Sequence, residues 1–266
     1  MRGDAIGIWS LISLLLILLP IALVLYFGFV VYRSPQGYSP AVFHSIALTL
    51  FSAALSALLV FVIFTPLSYV LSRSSGRMAE AISDIPASIP HPIVGIAFLI
   101  LGSPITPFGR FLTEHGLGLY DSLFGLVLVL SFISAPIYIR SAQSLFTSLN
   151  REPEQFASTL GKGRSAILYG LLIPSNARGL LSASLTSMSR AISEFGSVAI
   201  LVFYISGGLF SGTETASVLI YQYYGYYGPG PAITASAILI VISVAVLLAV
   251  KFLSRGRTIT EKVIRA

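Results

Sequence analysis

The sequence predicts an all-α, polytopic membrane protein with about six transmembrane helices. Three observations support this prediction: an apolar composition, a series of long apolar runs, and an uneven distribution of basic residues. Of the 266 residues, 55% are hydrophobic and only 10% are charged, whereas soluble domains carry about 25% charged residues. A helix needs roughly 20 apolar residues to cross the hydrocarbon core of a bilayer.

The predicted transmembrane segments are residues 5–32, 45–72, 85–101, 122–139, 179–204 and 232–250. The third segment contains Pro86, Pro90 and Pro92, so it is expected to be broken or re-entrant near its start. The first segment follows a basic residue, as the apolar region of a signal peptide would. However, it runs for 28 residues without a charge, far longer than such a region, and it is therefore predicted to be a retained helix.

Basic residues predict the orientation of the chain. When connections are assigned alternately to the two sides of the membrane, 13 Lys and Arg residues lie on one side and 2 on the other, with Arg190 inside the membrane. Because cytoplasmic connections are enriched in Lys and Arg, the basic side, with both termini, is predicted to be cytoplasmic. The chain is thus predicted to be a multi-pass protein of the cell membrane.

Several other functions find no support in the sequence. The net charge of +6 is better explained by anionic lipid and the positive-inside rule than by nucleic acid. The chain has no cysteine, and its three histidines are dispersed, so no metal site is predicted. Residues 161–165 contain glycine and lysine but lack the spacing of a phosphate-binding loop. We therefore expect no cofactor and no ATP site in this chain.

A patterned stretch on the predicted cytoplasmic side, residues 154–174, interrupts the apolar sequence. Asn150 can cap a helix and Pro153 suits a first turn, while Gly161 is a typical terminator. Phe156 and Leu160 are four residues apart and would share one face. A short amphipathic helix is therefore predicted, either as a docking surface for a partner or as a connector resting on the lipid.

Polar residues recur within the fifth predicted segment. They are spaced by three or four residues, as on one helical face, and comprise Ser182, Thr186, Arg190, Ser193 and Ser197. Glu194 lies four residues after Arg190 and could pair with it. Charged residues inside membranes usually face a bundle interior or a water-filled path, so this face could line a path for a polar solute. It could instead hold helices together by contacts between small and hydroxyl residues.

The fifth predicted connection, residues 205–231, contains the tyrosine-rich run 221–227. Tyrosine is common at the membrane–water interface, which would make this run part of an aromatic belt. Tyrosine is also favoured in protein interfaces, and contact with an external partner is the alternative.

Residues 155–174 resemble a motif of the permeases of type I ABC importers. That family carries a cytoplasmic loop of the form E-A-A-x-x-x-G followed by I-x-L-P. Ala157, Gly161 and Pro174 match, while Gln155 replaces the glutamate and Phe156 replaces the first alanine; Glu154 precedes the glutamate position by one residue.

Two further motifs are similar to those of molybdate, tungstate and sulfate permeases. Pro86, Pro90 and Gly95 match P-x-x-x-P-P-x-x-x-G, with His91 in place of the middle proline. Residues 190–196 resemble the R-A-x-x-E-F-G stretch of molybdate and tungstate permeases. With the later residues 216–221, these similarities span about residues 45–250.

The resemblance implies a permease subunit that imports molybdate or tungstate with ATP hydrolysed by a partner. Its partners would be an ATP-binding subunit dimer, an external substrate-binding protein and a second copy of this chain. Sulfate or thiosulfate import remains open, as does a secondary transporter or channel without an ATPase. The implied domains are an N-terminal helix with its external loop (1–43), a permease core (44–251) and a cytoplasmic tail (252–266).

The resemblance also implies residue roles. Coupling to the ATPase is expected at Glu154, Gln155, Ala157 and Gly161. The translocation path is expected along Ser182, Thr186, Arg190, Ser193, Glu194 and Ser197.

Overall fold

A computed structural model describes residues 4–74 and 76–254. Within these ranges the regular secondary structure is helical and no strand is present, which confirms the predicted all-α class. Most of the predicted cytoplasmic tail, beyond Ser254, lies outside the described residues, as does Arg2.

The helices of eight or more residues are α1 (Asp4–Tyr26), α2 (Pro40–Arg73), α3 (Arg77–Ser88), α4 (His91–Gly102), α5 (Pro107–Glu114), α6 (Leu123–Ser148), α7 (Glu152–Thr159), α10 (Ala177–Ile192), α12 (Ala216–Tyr227) and α13 (Pro229–Ser254). Within the described residues, three short α-helical turns lie between them, namely α8 (Arg164–Ile167), α9 (Ile173–Ser175) and α11 (Val198–Leu201), and two 3-10 turns are formed by Pro35–Tyr38 and Gly208–Phe210. A π-helical extension, Phe27–Tyr32, continues α1, and a second π-helical stretch, Leu168–Leu172, joins α8 to α9.

Four single helices in the described part of the chain are long and apolar enough to cross a membrane, and α3 with α4 forms a possible fifth, bent span. The single spans are α1 with its π-helical extension, α2, α6 and α13. The axes of α3 and α4 meet at 102°, and the break falls at Ile89 and Pro90. A break among the prolines of the third segment is thus confirmed.

The fifth predicted segment is not one continuous helix, and this part of the prediction was wrong. Helix α10 ends at Ile192, and helical structure resumes only at Val198 in the single turn α11. At a rise of 1.5 Å per residue, the 16 residues of α10 extend about 24 Å, less than the roughly 30 Å of a hydrocarbon core. The predicted fifth connection also differs, because it contains the 12-residue helix α12.

The centre of the molecule is formed by α2, α6 and α10, which pack along most of their lengths. Large side chains such as Leu48, Leu126 and Leu180 are fully buried there. Buried hydroxyls lie between the helices, and Ser131 Oγ donates to Ser56 Oγ at 3.3 Å. Helix α1, in contrast, is exposed along most of its length. The division of the chain at residues 43 and 251 stays a prediction.

The ends of α2 and α6 meet at the predicted cytoplasmic side of this bundle. Arg73 is the last residue of α2, and its Nη1 donates to the carbonyl oxygen of Phe146 near the end of α6 at 2.7 Å. Helix α7 follows α6 directly and lies beside this junction. Arg190, in the last turn of α10, and the break that follows this helix lie farther along the bundle, beside the start of α4.

Candidate functional site

Helix α7 forms where the sequence predicts it. Asn150 Oδ1 accepts a hydrogen bond from the backbone N–H of Glu152 at 3.0 Å, which satisfies one of the free donors at the helix start. Gly161 has φ +77°, a left-handed conformation that favours glycine. The next backbone N–H, of Lys162, donates to the carbonyl of Ala157 at 3.1 Å, so the helix ends in a glycine C-cap.

The predicted coupling residues occupy different sides of α7. Gln155 and Gly161 are exposed, Ala157 is half-buried, and Glu154 is only 8% exposed. Phe156 and Leu160 are 68% and 66% exposed, so the predicted apolar face points away from the protein.

A groove of about 640 Å³ lies between α7 and the segment that follows it. Its lining is mainly apolar and comprises Pro153, Phe156, Ala157, Leu160, Lys162, Ala166, Ile167, Gly170 and Leu171. The face of α7 that carries Phe156 therefore continues into a concave apolar surface.

Glu154 faces inward, towards the end of α2. Its carboxylate forms an ion pair with Arg73, in which Nη2 contacts Oε1 and Nε donates to Oε2 at 3.1 Å. Tyr69 OH also donates to Oε2 at 3.1 Å. The carboxylate thus accepts hydrogen bonds from two side chains of α2. One of them, Arg73, contacts both carboxylate oxygens.

Burial raises the pKa of the Glu154 carboxyl, but the hydrogen bonds and positive charge of Arg73, together with the weaker effects of Tyr69 and the positive charge of Arg151, lower it by more. A hydrogen bond from Tyr69 acts in the same direction. The net effect is a pKa below the usual glutamate value, so the carboxylate stays charged at neutral pH.

The polar residues of the fifth segment divide at the end of α10. Ser182 and Thr186 are exposed on α10, and Arg190 in its last turn is partly buried. Ser193 is the exposed C-cap residue, whereas Ser197 is fully buried beyond the helix. These residues do not share one continuous helical face, because the helix stops between Arg190 and Ser197.

Glu194 organises the break after α10, and its side chain is fully buried. Arg190 Nη2 donates to Glu194 Oε2 at 2.9 Å, which confirms the predicted pairing. His91 Nδ1, at the start of α4, lies 3.0 Å from the same oxygen. The other carboxylate oxygen accepts from the backbone N–H of Ser197 at 3.0 Å and from its hydroxyl at 2.9 Å.

The network around Glu194 also contacts other elements. Ser217 Oγ in α12 donates to the carbonyl oxygen of Glu194 at 2.8 Å. A side chain at Gly95 in α4 would place its Cβ 2.7 Å from the carbonyl oxygen of Ser197, so only glycine allows this approach. The proline-rich break and the break after α10 therefore pack against each other.

A sequence model of one protein family matches residues 67–259, and its description is binding-protein-dependent transport system inner membrane component. This match covers well over half of the chain. The chain belongs to this family. The resemblance to ABC importer permeases predicted from the three motifs is thereby confirmed.

Curated relatives of this permease extend over most of its length. The molybdate/tungstate transport system permease protein WtpB of Pyrococcus furiosus is 32% identical over 222 residues, which cover 82% of this chain and 81% of that protein. A probable sulfate transport system permease protein, cysT of Helicosporidium sp., is 28% identical to this chain. The match covers 79% of this chain and 76% of that protein.

A solved structure shows the same fold. It is a bacterial ABC transporter involved in the import of the acidic polysaccharide alginate, and its matching chain superposes with a TM-score of 0.64. The superposition covers 96% of this permease and 95% of the alginate transporter chain at 19% identity. The fold is that of type I ABC importer permeases.

Two partners in these networks were missed by the sequence reasoning. In the sequence, Arg73 is one of the 13 basic residues on the predicted cytoplasmic side, and Tyr69 lies within the second apolar segment. Neither carries a signal for its contact with Glu154, since Arg73 is 81 residues away in the chain. For His91 a signal existed, because it stands at the middle proline of the motif that residues 86–95 resemble.

The tyrosine-rich run forms the second half of α12. Tyr221, Tyr224, Tyr226 and Tyr227 are exposed, with exposed fractions from 62% to 79%. Tyr223 is instead buried, and its hydroxyl lies 2.9 Å from Ser39 Oγ at the start of α2. The exposed tyrosines fit either predicted role, an aromatic belt or a contact surface.

Proposed function

We propose that this permease imports molybdate or tungstate as a homodimer driven by two ATP-binding subunits, which dock at α7. An external substrate-binding protein delivers the ion on the opposite side, near α12. The chain itself hydrolyses no ATP. Both termini and α7 lie in the cytoplasm, and the membrane is the cell membrane.

The observation that carries the ATPase docking is the exposed apolar face of α7. Phe156 lies on a helix of eight residues and Leu160 is the C-cap residue of that helix. Helices this short are marginally stable without packing. The exposed side chains of these two residues and the adjoining apolar groove suit a partner that accepts a helix in a cleft, as helix-in-groove recognition does. Basic residues concentrated on this side support its assignment as cytoplasmic.

The translocation path is proposed to run along the exposed face of α10, through Ser182 and Thr186, to the region of Ser193. Hydroxyl groups offer weak hydrogen bonds to an oxyanion without trapping it. Glu194 neutralises the charge of Arg190, with which it pairs at 2.9 Å. The path is therefore polar but contains no unpaired arginine at this point that would bind an anion tightly. Two copies of this chain would place two such faces around one path.

The substrate class is supported by the relatives named for molybdate and tungstate transport, of which one is 32% identical. Sulfate is the second candidate, because a probable sulfate permease covers a similar share of the chain at 28% identity. The three ions are tetrahedral dianions, and a path lined by hydroxyls discriminates poorly among them.

The docking surface is tested by copurification of a tagged permease expressed with its neighbouring genes. The wild-type protein should bring down an ATPase subunit, while Phe156→Asp and Leu160→Asp should lose it because a carboxylate cannot enter an apolar cleft. Met78→Asp is the matched control, since Met78 is 76% exposed on α3 at the same side of the bundle.

A wild-type permease that transports its ion without any ATPase would establish a secondary transporter or channel and contradict the proposal. Loss of the ATPase from Met78→Asp as well would show that the effect is not specific to α7. The ion is identified separately, by calorimetry of the neighbouring binding protein with molybdate, tungstate and sulfate. Binding of sulfate alone would replace the proposed substrate by the second candidate.

A further inference from the structure

The end of α2 joins three elements through one side chain, that of Arg73. The guanidinium contacts the Glu154 carboxylate of α7 and donates to the Phe146 carbonyl of α6. Arg73 and Glu154 are largely sheltered, with side chains 15% and 10% exposed. We name this contact, formed by Arg73, Glu154, Tyr69 and the Phe146 carbonyl, the α2–α7 clasp.

Few other contacts tie α7 to the bundle. Gln155, Phe156 and Leu160 point outward, and Ala157 alone among the apolar α7 residues packs against the cluster that contains Tyr69 and Phe146. The clasp is therefore the main polar link from α7 to the long helices.

The geometry of the clasp resists movement in more than one direction. Arg73 engages both carboxylate oxygens, and a two-point contact of this kind fixes orientation as well as distance. Tyr69 packs edge-on against Phe146 with ring centroids 5.7 Å apart, which holds α2 against α6 beside the ion pair. A displacement of α7 is thus passed to α2 and α6 together.

The helices that receive this displacement also carry the proposed path. Helix α10 packs against both α2 and α6, and Ala183 and Leu180 of α10 belong to the same buried cluster as Tyr69 and Phe146. The clasp and the polar face of α10 are accordingly parts of one packed unit.

We infer that the Arg73–Glu154 pair is the positioning contact that transmits movement of α7 to α2, α6 and the path along α10. This inference rests on the proposed function, since it assigns the route by which a docked ATPase acts on the bundle. It changes the expected role of Glu154, which acts inside this chain and not as a direct contact of the ATPase.

The test measures how many ATP molecules are hydrolysed per ion imported. The full complex of permease, ATPase and binding protein is placed in proteoliposomes with Glu154→Gln, Arg73→Gln and the double variant. Each single variant should raise the ATP-to-ion ratio about fivefold or more, the lower range of allosteric couplings. The double variant should be no worse than either single one, because the pair acts as a unit.

Glu152→Gln is the matched control, because Glu152 is the first residue of α7, two positions before Glu154, and its side chain is exposed. Its ratio should equal that of the wild type. Arg73→Lys keeps the charge but loses the two-point contact, and it should give an intermediate ratio. Additive losses in the double variant, or a normal ratio for Glu154→Gln, would overturn the inference.

The assembled complex is quantified by size exclusion before each measurement, so that a folding defect is not read as uncoupling. Where Glu154→Gln fails to assemble, Arg73→Gln gives the same comparison, because it removes the other charge of the pair, and a normal ratio in that variant overturns the inference. A wild-type complex without ATP-driven uptake would refute the proposed function itself. Normal wild-type uptake with an unchanged Glu154→Gln ratio would refute only the clasp.

Discussion

Two buried carboxylates, Glu154 and Glu194, are each paired with an arginine, yet they connect different parts of the molecule. Glu194 binds Arg190, four residues earlier, and the backbone of Ser197, three residues later. Glu154 binds Arg73, which is 81 residues away. The first contact shapes a local break within the membrane region, whereas the second attaches a surface helix to the bundle. Folding should therefore depend more on Glu194, and movement between elements more on Glu154.

The largest expected effect on stability comes from Glu194→Gln. The change leaves Arg190 and His91 beside a neutral group in a fully buried position, and removing one partner of a buried ion pair costs about 3–5 kcal/mol. We expect a loss of this size in the free energy of unfolding, measured by titration with sodium dodecyl sulfate in mixed micelles.

Glu114→Gln serves as the control for that measurement, because Glu114 is an exposed acid at the end of α5. It should change the unfolding free energy by less than about 0.5 kcal/mol. An equal effect of the two substitutions would show that the network around Glu194 is not a stabilising feature.

A smaller and pH-dependent effect is expected from Glu154→Gln. Hydrogen bonds to charged groups contribute about 1.5–3 kcal/mol, and this is the expected loss at pH 7. Because the folded pKa of Glu154 is lowered from its ordinary value of 4.5, its contribution is fully present above pH 4.5 and disappears as the pH falls through the folded pKa.

The measurement compares unfolding free energies of the wild type and Glu154→Gln from pH 7 downwards. The difference between the two proteins should shrink as the solution becomes more acidic. Exposed Glu152 provides the comparison, since Glu152→Gln should show a small difference at each pH. A gap between wild type and Glu154→Gln that widens at low pH would contradict the ion pair.

The regions around Glu154 and Glu194 can be predicted from the sequence only where the residues that determine their structure are close together in the chain. Helix α7 was predicted with its start and end, because Asn150, Pro153 and Gly161 act within a few residues. The break at Pro90 was likewise predicted from the prolines themselves.

The end of α10 could not be predicted in the same way. The three- and four-residue spacing of polar residues continues past Ile192 to Ser197, as it would in a longer helix. The helix stops because Glu194 turns its carboxylate onto the backbone N–H of Ser197 and onto His91 of another helix. The contact between Arg73 and Glu154 could not be predicted either, since it joins two residues that are far apart in the sequence.

The smallest expected effect tests the end of α7 at two neighbouring glycines. Gly161 has φ +77°, and an added Cβ would meet no atom within 4 Å, so Gly161→Ala should lose about 1–2 kcal/mol through backbone strain alone. Gly161→Asn should lose less, because asparagine tolerates this conformation.

Gly163 is the control: it is equally open, but its φ is −72°, a value that alanine adopts freely. Gly163→Ala should therefore be neutral or stabilise the protein by up to about 1 kcal/mol, through a lower entropy of the unfolded chain. A loss for Gly161→Ala with no loss for Gly163→Ala, measured by the same micelle titration, would tie the cost at Gly161 to its left-handed backbone. Equal losses at both positions would assign it to the added methyl group.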